Sequence, residues 1–175
     1  MTKKICVLGS TGSIGTRTLD VARDFPEQFS ICGLSTWGRM DLFKAQIAEF
    51  RPEAVSVTDP SRRDDAAEMA RSLGVKAALG DNGLSDLVRM CEPDIVVVAT
   101  VGIAGLRPTL AALEGGSEVA LANKEVLVAG GTLVMDTARK HGRSVIPIDS
   151  EHNAIAQCLS GQKHDKVRHI ILTAS

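Results

Sequence analysis

The chain has 175 residues, 44% of them hydrophobic and only 3% aromatic, with 20 basic residues against 21 acidic ones. A chain of this length buries about 70% of its unfolded surface, so its core can form without a disulfide or a metal ion. The net charge of -1 excludes a polybasic surface as the main mode of recognition, and we therefore do not expect nucleic acid as a partner.

The sequence contains no segment typical of a membrane protein or of a signal peptide. The longest uninterrupted apolar run, residues 95–99, is far too short to span a bilayer. The apolar stretch near the N-terminus ends at Gly9, which is too early for a signal peptide. The four cysteines are widely separated and show no CxxC spacing: Cys6, Cys32, Cys91 and Cys158. We therefore expect reduced thiols, no membrane partner and a cytoplasmic location.

Short aliphatic runs alternate with longer helical patterns along the chain. Strands are predicted at residues 4–9, 29–36, 54–58, 76–80, 94–100, 118–122, 144–148 and 167–173. Helices are predicted at residues 14–25, 41–50, 61–73, 84–91, 105–114, 132–141 and 152–159. The strand runs are continuous rather than alternating, as is typical of strands covered on both faces. The predicted fold class is therefore α/β, a doubly wound, mostly parallel Rossmann-like sheet.

The first strand leads directly into a glycine-rich loop at residues 9–15, with the sequence GSTGSIG. Glycine allows a tight turn and the close approach of a pyrophosphate to backbone N–H groups. The helix that starts inside the loop offers its own N–H groups and dipole to the anion. We also expect hydroxyl donors from Ser10, Thr11 and Ser13. The alternative is an ordinary glycine-rich turn, but its place in the first βαβ unit favours a dinucleotide site.

The segment after the second strand indicates which dinucleotide binds. An NAD site usually places an acidic residue there, about 20 residues beyond the glycine loop, to bind the ribose 2′-hydroxyl. No acid occurs here before Asp41. Arg39, helped by Ser35 and Thr36, can instead pair with a 2′-phosphate, so the sequence favours NADP(H) over NAD(H). The alternative for Arg39 is a solvated charge at the start of a helix.

Polar residues follow two strands in the second half of the chain. Asn123, Lys124 and Glu125 come directly after the strand at 118–122, and Lys124 could hold a substrate hydroxyl or phosphate. The alternative is a polar cluster that caps a helix.

Asp149 and Glu151 follow the strand at 144–148. In an extended segment they would face the same side, where two carboxylates suit Mg2+ or Mn2+, with a further ligand from elsewhere or from substrate. A solvated acidic helix start is the alternative. We interpret His152 as a capping or packing residue.

These elements together resemble the 1-deoxy-D-xylulose 5-phosphate reductoisomerases, NADPH-dependent enzymes of the non-mevalonate isoprenoid pathway. The resemblance runs the full length of the chain and is carried by residues 9–15, 105–110, 121–125, 149–155 and 171–175. It implies that 1-deoxy-D-xylulose 5-phosphate is rearranged through a retro-aldol/aldol or ketol step. The resulting aldehyde is then reduced by NADPH to 2-C-methyl-D-erythritol 4-phosphate, with Mg2+ or Mn2+ required.

The resemblance also implies roles for individual residues. The implied cofactor contacts are Thr11, Gly12, Ser13, Ile14, Gly38, Arg39, Asn123 and Glu125. The implied substrate contacts are Lys124, Ser150 and Glu151, with Lys124 and Ser150 catalytic, and the implied metal ligands are Asp149 and Glu151. The metal would polarise vicinal oxygens of the substrate, and Lys124 would stabilise negative charge developing on them. The family pattern after the second strand is closer to Gly-basic-Asn, and the Asn is lacking here.

Family members are substantially longer and typically homodimeric. We therefore expect an NADPH-binding domain at residues 1–148 and the first segment of a catalytic domain at residues 149–175, with a chain that is inactive alone and a full-length homodimer. One alternative is a stand-alone NADP(H)-binding module without catalysis. Another is a dehydrogenase of the semialdehyde type, which needs an activated cysteine, and the surroundings of Cys91 and Cys158 do not indicate one.

Overall fold

The computed structural model describes residues 1–163 and 166–171. The strands over these residues are β1 (Lys3–Leu8), β2 (Phe29–Thr36), β3 (Ala54–Val57), β4 (Lys76–Ala77), β5 (Ile95–Val98), β6 (Glu118–Leu121) and β7 (Val145–Pro147). The helices are α1 (Ser13–Asp24), α2 (Met40–Phe50), α3 (Arg63–Leu73), α4 (Gly83–Cys91), α5 (Leu106–Glu114), α6 (Lys124–His141) and α7 (Ser150–Leu159). Two short 3-10 turns lie at Pro60–Arg62 and Gly102–Gly105.

The strands form one sheet in the order β4-β3-β2-β1-β5-β6-β7. Every pairing between them is parallel, so their carboxyl ends share one edge. The order runs in one direction from β1 to β4 and in the other from β5 to β7, which places the topological switch point between β1 and β5. The predicted doubly wound Rossmann-like sheet is confirmed.

Two apolar clusters cover the two faces of the sheet, and the pleat of β1 shows how they divide. Ile5 and Val7 point into the cluster under α1, α2 and α3, which contains Leu19 and Phe43. Cys6 and Leu8 point into the opposite cluster, under α4, α5 and α6. Because both faces are buried, the strand is apolar at consecutive positions.

Two helices begin two or more residues earlier than predicted. The helix expected at 132–141 begins at Lys124 and continues through a bend at Gly130, where φ is -147° and ψ is 26°. The apolar residues before the two glycines therefore belong to the helix. The helix expected at 152–159 begins at Ser150, so Glu151 lies in its first turn instead of in an extended segment.

The strand predicted at 167–173 is wrong over residues 167–171, which form neither helix nor strand; residues 172–173 lie outside the described part. No neighbouring strand pairs with residues 167–171 in the sheet, and a single segment cannot satisfy its backbone hydrogen bonds as a strand. No helix in the described part of the chain is both long and apolar enough to cross a membrane.

Candidate functional site

The glycine loop crosses the carboxyl edge of the sheet at the switch point between β1 and β5. Gly9 has a φ of +89°, and a Cβ atom there would lie 2.6 Å from the Ala99 carbonyl oxygen. Gly15 is buried, and a Cβ atom there would overlap the backbone of Gly9 and Ser10. Both positions therefore need glycine to let the loop and α1 pack closely.

Gly12 has a different role, because it lies at the N-cap position of α1 and is exposed. A Cβ atom at Gly12 would meet only the Gly9 carbonyl oxygen, at an ordinary 3.4 Å. The first turn of α1 contains no acidic residue, and its backbone N–H groups have no partner within the helix. The Gly12 N–H donates to the Gly9 carbonyl oxygen (3.1 Å). Ser13 and Ile14, beside the exposed Gly12, therefore form an open helix N-terminus suited to a phosphate.

The hydroxyl groups of Ser10 and Thr11 are turned into the protein, so the expectation that they serve as ligand donors is wrong. Ser10 Oγ donates to Gln46 Oε1 (2.7 Å), and Gln46 Nε2 donates to the Ser10 carbonyl oxygen (3.0 Å). Thr11 Oγ1 shares a hydrogen bond of 2.7 Å with Thr36 Oγ1, and Thr11 is only 4% exposed. These hydroxyls fix the shape of the loop, while Ser13 stays exposed.

A cavity of about 590 Å³ opens beside the glycine loop. Its walls come from the ends of β1, β2, β3 and β5, and they include Gly9, Thr11, Gly12, Trp37, Gly38, Arg39, Asp59, Arg62, Thr100 and Val101. Arg39 Nη1 donates to the Thr11 carbonyl oxygen over 2.8 Å. The structure thus brings Thr11, Gly12, Gly38 and Arg39 together around one cavity at the carboxyl edge of the sheet.

Asn123 connects this groove to the next strand end. It lies at the N-cap position of α6 and is only 3% exposed. Its Nδ2 atom donates to the carbonyl oxygens of Thr100 (2.7 Å) and Gly102 (2.6 Å). Its buried Oδ1 atom has no hydrogen-bond partner in the described part of the chain. Asn123 therefore fixes the loop after β5, and its Oδ1 atom can still accept a hydrogen bond from a ligand. Lys124 and Glu125 are exposed in the first turn of α6.

The second group of polar residues lies where β7 passes into α7. Asp149 is the N-cap residue of α7, with its side chain 15% exposed, and its Oδ1 atom lies 3.5 Å from His152 Nδ1. Ser150 Oγ donates to Glu151 Oε2 over 2.7 Å. This hydrogen bond, the backbone N–H of Glu151, an interaction with the Asp149 carboxyl and the attraction of the Lys124 ammonium lower the pKa of the Glu151 carboxyl to about 2. Glu151 is therefore ionised and close to Lys124.

The sequence predicted that Asp149 and Glu151 face the same side of an extended segment. This prediction is wrong, because Glu151 lies in the first turn of α7. Asp149 and Glu151 lie instead on either side of a helix start. His152 lies beside Asp149, as a packing or capping residue would, and it also shares a small cavity with Lys124. The structure therefore brings Lys124, Asp149, Ser150 and Glu151 together.

Both groups of residues lie at the carboxyl edge of the same sheet. β1 and β7 are separated by β5 and β6, and three strand spacings correspond to about 14 Å. A dinucleotide with its phosphates on the glycine loop can span that distance along the strand ends. The edge can therefore present a reduced nicotinamide to a small molecule held near Lys124.

The residues present fit a dinucleotide and a divalent cation. An exposed helix N-terminus and the Arg39 guanidinium suit the first, as does the Asn123 acceptor that has no partner among the described residues. The Asp149 and Glu151 carboxylates suit the second. Asp149 Oδ1 is buried 3.5 Å from His152 Nδ1 and accepts no hydrogen bond from the residues that the structure describes. No cluster of three or more His, Cys, Asp or Glu side chains able to hold a metal occurs among residues 1–163 and 166–171. Water or substrate oxygens would complete the coordination.

Three residues of the site carried no clear sequence signal: Gln46, Asp59 and Arg62. Gln46 projects from α2 onto the glycine loop, and only its position on the buried face of α2 hinted at a role. Asp59 and Arg62 line the cavity from the loop after β3. A polar segment directly after a parallel strand was the signal that could have found them.

The cysteines do not support thioester chemistry at the groove. Cys6, Cys32 and Cys91 are buried, and Cys158 is exposed on α7. Cys91 Sγ donates to the Cys32 carbonyl oxygen over 3.2 Å. None of these thiols lines the cavity beside the glycine loop, so the site lacks the nucleophile of a semialdehyde dehydrogenase.

Comparison with known proteins identifies the family. The sequence profile of 1-deoxy-D-xylulose 5-phosphate reductoisomerase matches residues 5–131, and that of its C-terminal domain matches residues 145–175. The 1-deoxy-D-xylulose 5-phosphate reductoisomerase of Crocosphaera subtropica is 45% identical over 175 residues, which are 99% of this chain and 44% of the relative.

Solved structures agree. The enzyme of this name from Zymomonas mobilis in complex with NADPH superposes with a TM-score of 0.85 at 36% identity, over 94% of this chain and 42% of that one. A DOX-P reductoisomerase in complex with NADPH, fosmidomycin and magnesium has a TM-score of 0.83 at 41% identity, over 89% and 38%. The chain thus spans less than half the length of these relatives. It belongs to the 1-deoxy-D-xylulose 5-phosphate reductoisomerase family.

Proposed function

We propose that this chain provides the NADPH site and part of the metal and substrate site for the conversion of 1-deoxy-D-xylulose 5-phosphate to 2-C-methyl-D-erythritol 4-phosphate. The observation that carries the proposal is the shared sheet edge: an open helix N-terminus after β1, and a pair of carboxylates with Lys124 after β6 and β7. The two sets of residues follow different strands, β1 for the first and β6 and β7 for the second. A reaction that needs both explains why they lie at the same edge of the sheet.

NADPH lies along the edge in this proposal. The N–H groups of Ser13 and Ile14, beside the exposed Gly12, would hold its phosphates, because the Gly12 N–H already donates to the Gly9 carbonyl oxygen. Gly38 and Arg39 would hold its adenosine half. Its nicotinamide half turns the other way, toward Asn123 and Glu125 at the start of α6. Two of the similar structures, one of them from Zymomonas mobilis, are complexes with NADPH.

Asp149 and Glu151 hold the divalent cation, Mg2+ or Mn2+, in the same proposal. When bound, the cation supplies a Lewis acid and NADPH supplies a hydride. Lys124 and Ser150 act directly on the substrate: the ammonium stabilises negative charge on a reacting oxygen, and the hydroxyl orients it. Ser150 already orients the Glu151 carboxylate through its hydrogen bond.

The wider organisation of the protein is also part of the proposal. Residues 1–148 form the NADPH-binding domain, residues 149–175 begin the catalytic domain, and the full enzyme is a cytoplasmic homodimer. The 175-residue chain by itself binds cofactor without turnover, because Ser150 and Glu151 stand exposed on a helix that has no buried residue. Hydride transfer and carbon–carbon cleavage require a site that excludes water.

The test is a titration of the 175-residue chain with NADPH, followed by addition of Mn2+ and 1-deoxy-D-xylulose 5-phosphate. Trp37, the chain's single tryptophan, lines the cavity and reports binding through energy transfer to the reduced nicotinamide. We expect saturable binding and no consumption of NADPH. Failure to bind NADPH contradicts the proposed function, whereas NADPH oxidation contradicts only the proposed inactivity of the isolated chain. Binding that is indifferent to Mn2+ and substrate favours a stand-alone NADP(H)-binding module.

A further inference from the structure

We propose that Arg62, on the loop after β3, forms with Arg39 a two-arginine site for the 2′-phosphate of NADPH and so sets the preference for NADPH over NADH. The inference rests on the proposed function and adds a specificity residue to it. The sequence predicted that Arg39, helped by Ser35 and Thr36, meets this phosphate; the fold adds a second arginine from a different strand end.

The loops after β2 and β3 are joined into one surface. The Thr58 backbone N–H donates to the Thr36 carbonyl oxygen (3.0 Å), and the Asp59 N–H donates to the Trp37 carbonyl oxygen (3.1 Å). The Asp59 side chain also packs over Gly38, where a Cβ atom would lie 3.3 Å from Asp59 Oδ2. Arg39 and Arg62 therefore reach the same cavity from neighbouring strands.

This cavity is the one that contains Gly9 and Gly12 of the phosphate loop. In a sheet of this topology the end of the second strand faces the adenosine ribose of the dinucleotide. Arg39 stands at that end. Arg62 lines the same wall one strand further out, so a phosphate on the ribose 2′-oxygen meets both guanidinium groups.

Neither arginine is committed to a strong internal ion pair. Over residues 1–163 and 166–171, no carboxylate forms an ion pair with Arg39, and the Arg39 side chain donates to the neutral Thr11 carbonyl oxygen. Arg62 pairs with Asp65 at 3.2 Å, one turn along α3, with both side chains more than half exposed. Such an exposed pair is weak, and a doubly charged phosphate competes with it effectively.

Asp59 is the acidic residue on this wall of the cavity, and its protonation state affects the net charge that a phosphate meets. Its Oδ1 atom accepts hydrogen bonds from Ser61 Oγ (2.7 Å) and from the Ser61 backbone N–H (2.9 Å), which lower the pKa of the carboxyl. Asp59 is thus ionised, and the two guanidinium groups exceed it in charge. If the Asp59 carboxylate instead took the ribose hydroxyls, the chain would prefer NADH.

The next residue provides a matched control. Arg63 faces the neighbouring cavity, where its Nη2 atom lies 3.8 Å from Asp81, and it does not line the wall beside Gly12. Arg62→Ala and Arg63→Ala remove the same charge from adjacent exposed positions, so a difference between them reflects contact with the ligand rather than net charge.

The experiment measures the affinities of the 175-residue chain and both variants for NADPH, NADH, 2′,5′-ADP and 5′-ADP by calorimetry. We expect the wild type to prefer NADPH and 2′,5′-ADP. Arg62→Ala should lower the affinity for these two ligands about 10-fold, which is the effect of losing one charged hydrogen bond. It should leave the affinities for NADH and 5′-ADP unchanged. Arg63→Ala should change all four less than 2-fold, and Arg62→Lys should fall between wild type and Arg62→Ala.

Three results would overturn the inference. They are an equal loss of NADPH and NADH affinity in Arg62→Ala, an unchanged NADPH affinity in that variant, and a wild-type preference for NADH. In the second and third cases the wild type still binds a dinucleotide, so the proposed site stands without the role of Arg62. A wild-type chain that binds none of the four ligands overturns the proposed function as well.

Discussion

The Asn123 side-chain amide donates a hydrogen bond of 2.7 Å to the Thr100 carbonyl oxygen, which ties the N-cap residue of α6 to the loop after β5. Thr100 lines the cavity beside the glycine loop, and Lys124 follows Asn123 directly in the chain. One buried amide therefore sets the position of the groove wall and of the proposed catalytic lysine at the same time.

Asn123→Ala should destabilise the fold by about 1–3 kcal/mol, because two partly buried carbonyl oxygens lose their donor. Asn123→Asp should lower the free energy of unfolding further than Asn123→Ala, since a carboxylate would face the same two carbonyl oxygens. Urea denaturation of both variants checks this, with Asn82→Ala as the control at an exposed N-cap that makes no side-chain capping bond. Equal losses in Asn82→Ala and Asn123→Ala would contradict the role given to Asn123.

Gly15→Ala and Gly12→Ala should separate packing from ligand binding. A methyl group at Gly15 overlaps the glycine-loop backbone and should cost about 1–3 kcal/mol or more, whereas Gly12 has room for it. Thermal unfolding of the two variants measures the difference. A Gly12→Ala protein as unstable as Gly15→Ala would show that the loop is packed differently.

Gly12→Asp should abolish NADPH binding while the fold stays stable. Aspartate is a favourable N-cap residue, and its charge would occupy the place of the phosphate at the start of α1. Gly12→Asn is the matched control, because it has the same shape without the charge. We expect NADPH affinity to fall much further in the aspartate variant at low salt. Similar losses in both variants would point to steric exclusion instead of phosphate binding at this helix end.

Thr11→Val should lower stability by about 1 kcal/mol and leave the NADPH affinity of the folded protein nearly unchanged, since its hydroxyl bonds Thr36 and not the ligand. Thr36→Val should do the same. The double variant should recover part of the loss, because no unpaired hydroxyl remains. Urea denaturation of the four proteins gives the coupling energy, and strictly additive losses would argue against the buried pair.

Glu151→Gln should remove Mn2+ binding from the chain, as measured by the signal of free Mn2+ in electron paramagnetic resonance. The wild type should bind weakly, with a dissociation constant of roughly 0.1–1 mM, because it offers only two carboxylates. Glu114→Gln, an exposed position at the end of α5, is the control and should bind like the wild type. Unchanged binding in Glu151→Gln would exclude this pair as the metal site.

The sequence predicted the sheet well, because strands such as β5 are apolar at consecutive positions only when both faces are covered. It did not predict the conformation of two segments of the candidate site, at the starts of α6 and α7. The start of α6 was not predicted, because β-branched residues such as Val126 and Val128 favour strands and the pair of glycines that follows them favours a turn. Ser10 looked like a ligand donor because its partner, Gln46, is distant in sequence and comes close only in the folded protein.

The groove and the carboxylate pair serve one reaction only if the nicotinamide of NADPH reaches Glu151. Proton relaxation of NADPH bound to the chain measures this when Mn2+ is added. The nicotinamide protons should relax much faster than the adenine protons, because β2 and β7 lie on opposite sides of the glycine loop, and Glu151→Gln should remove the difference. Equal relaxation of both rings, or faster relaxation of adenine, would contradict the shared site.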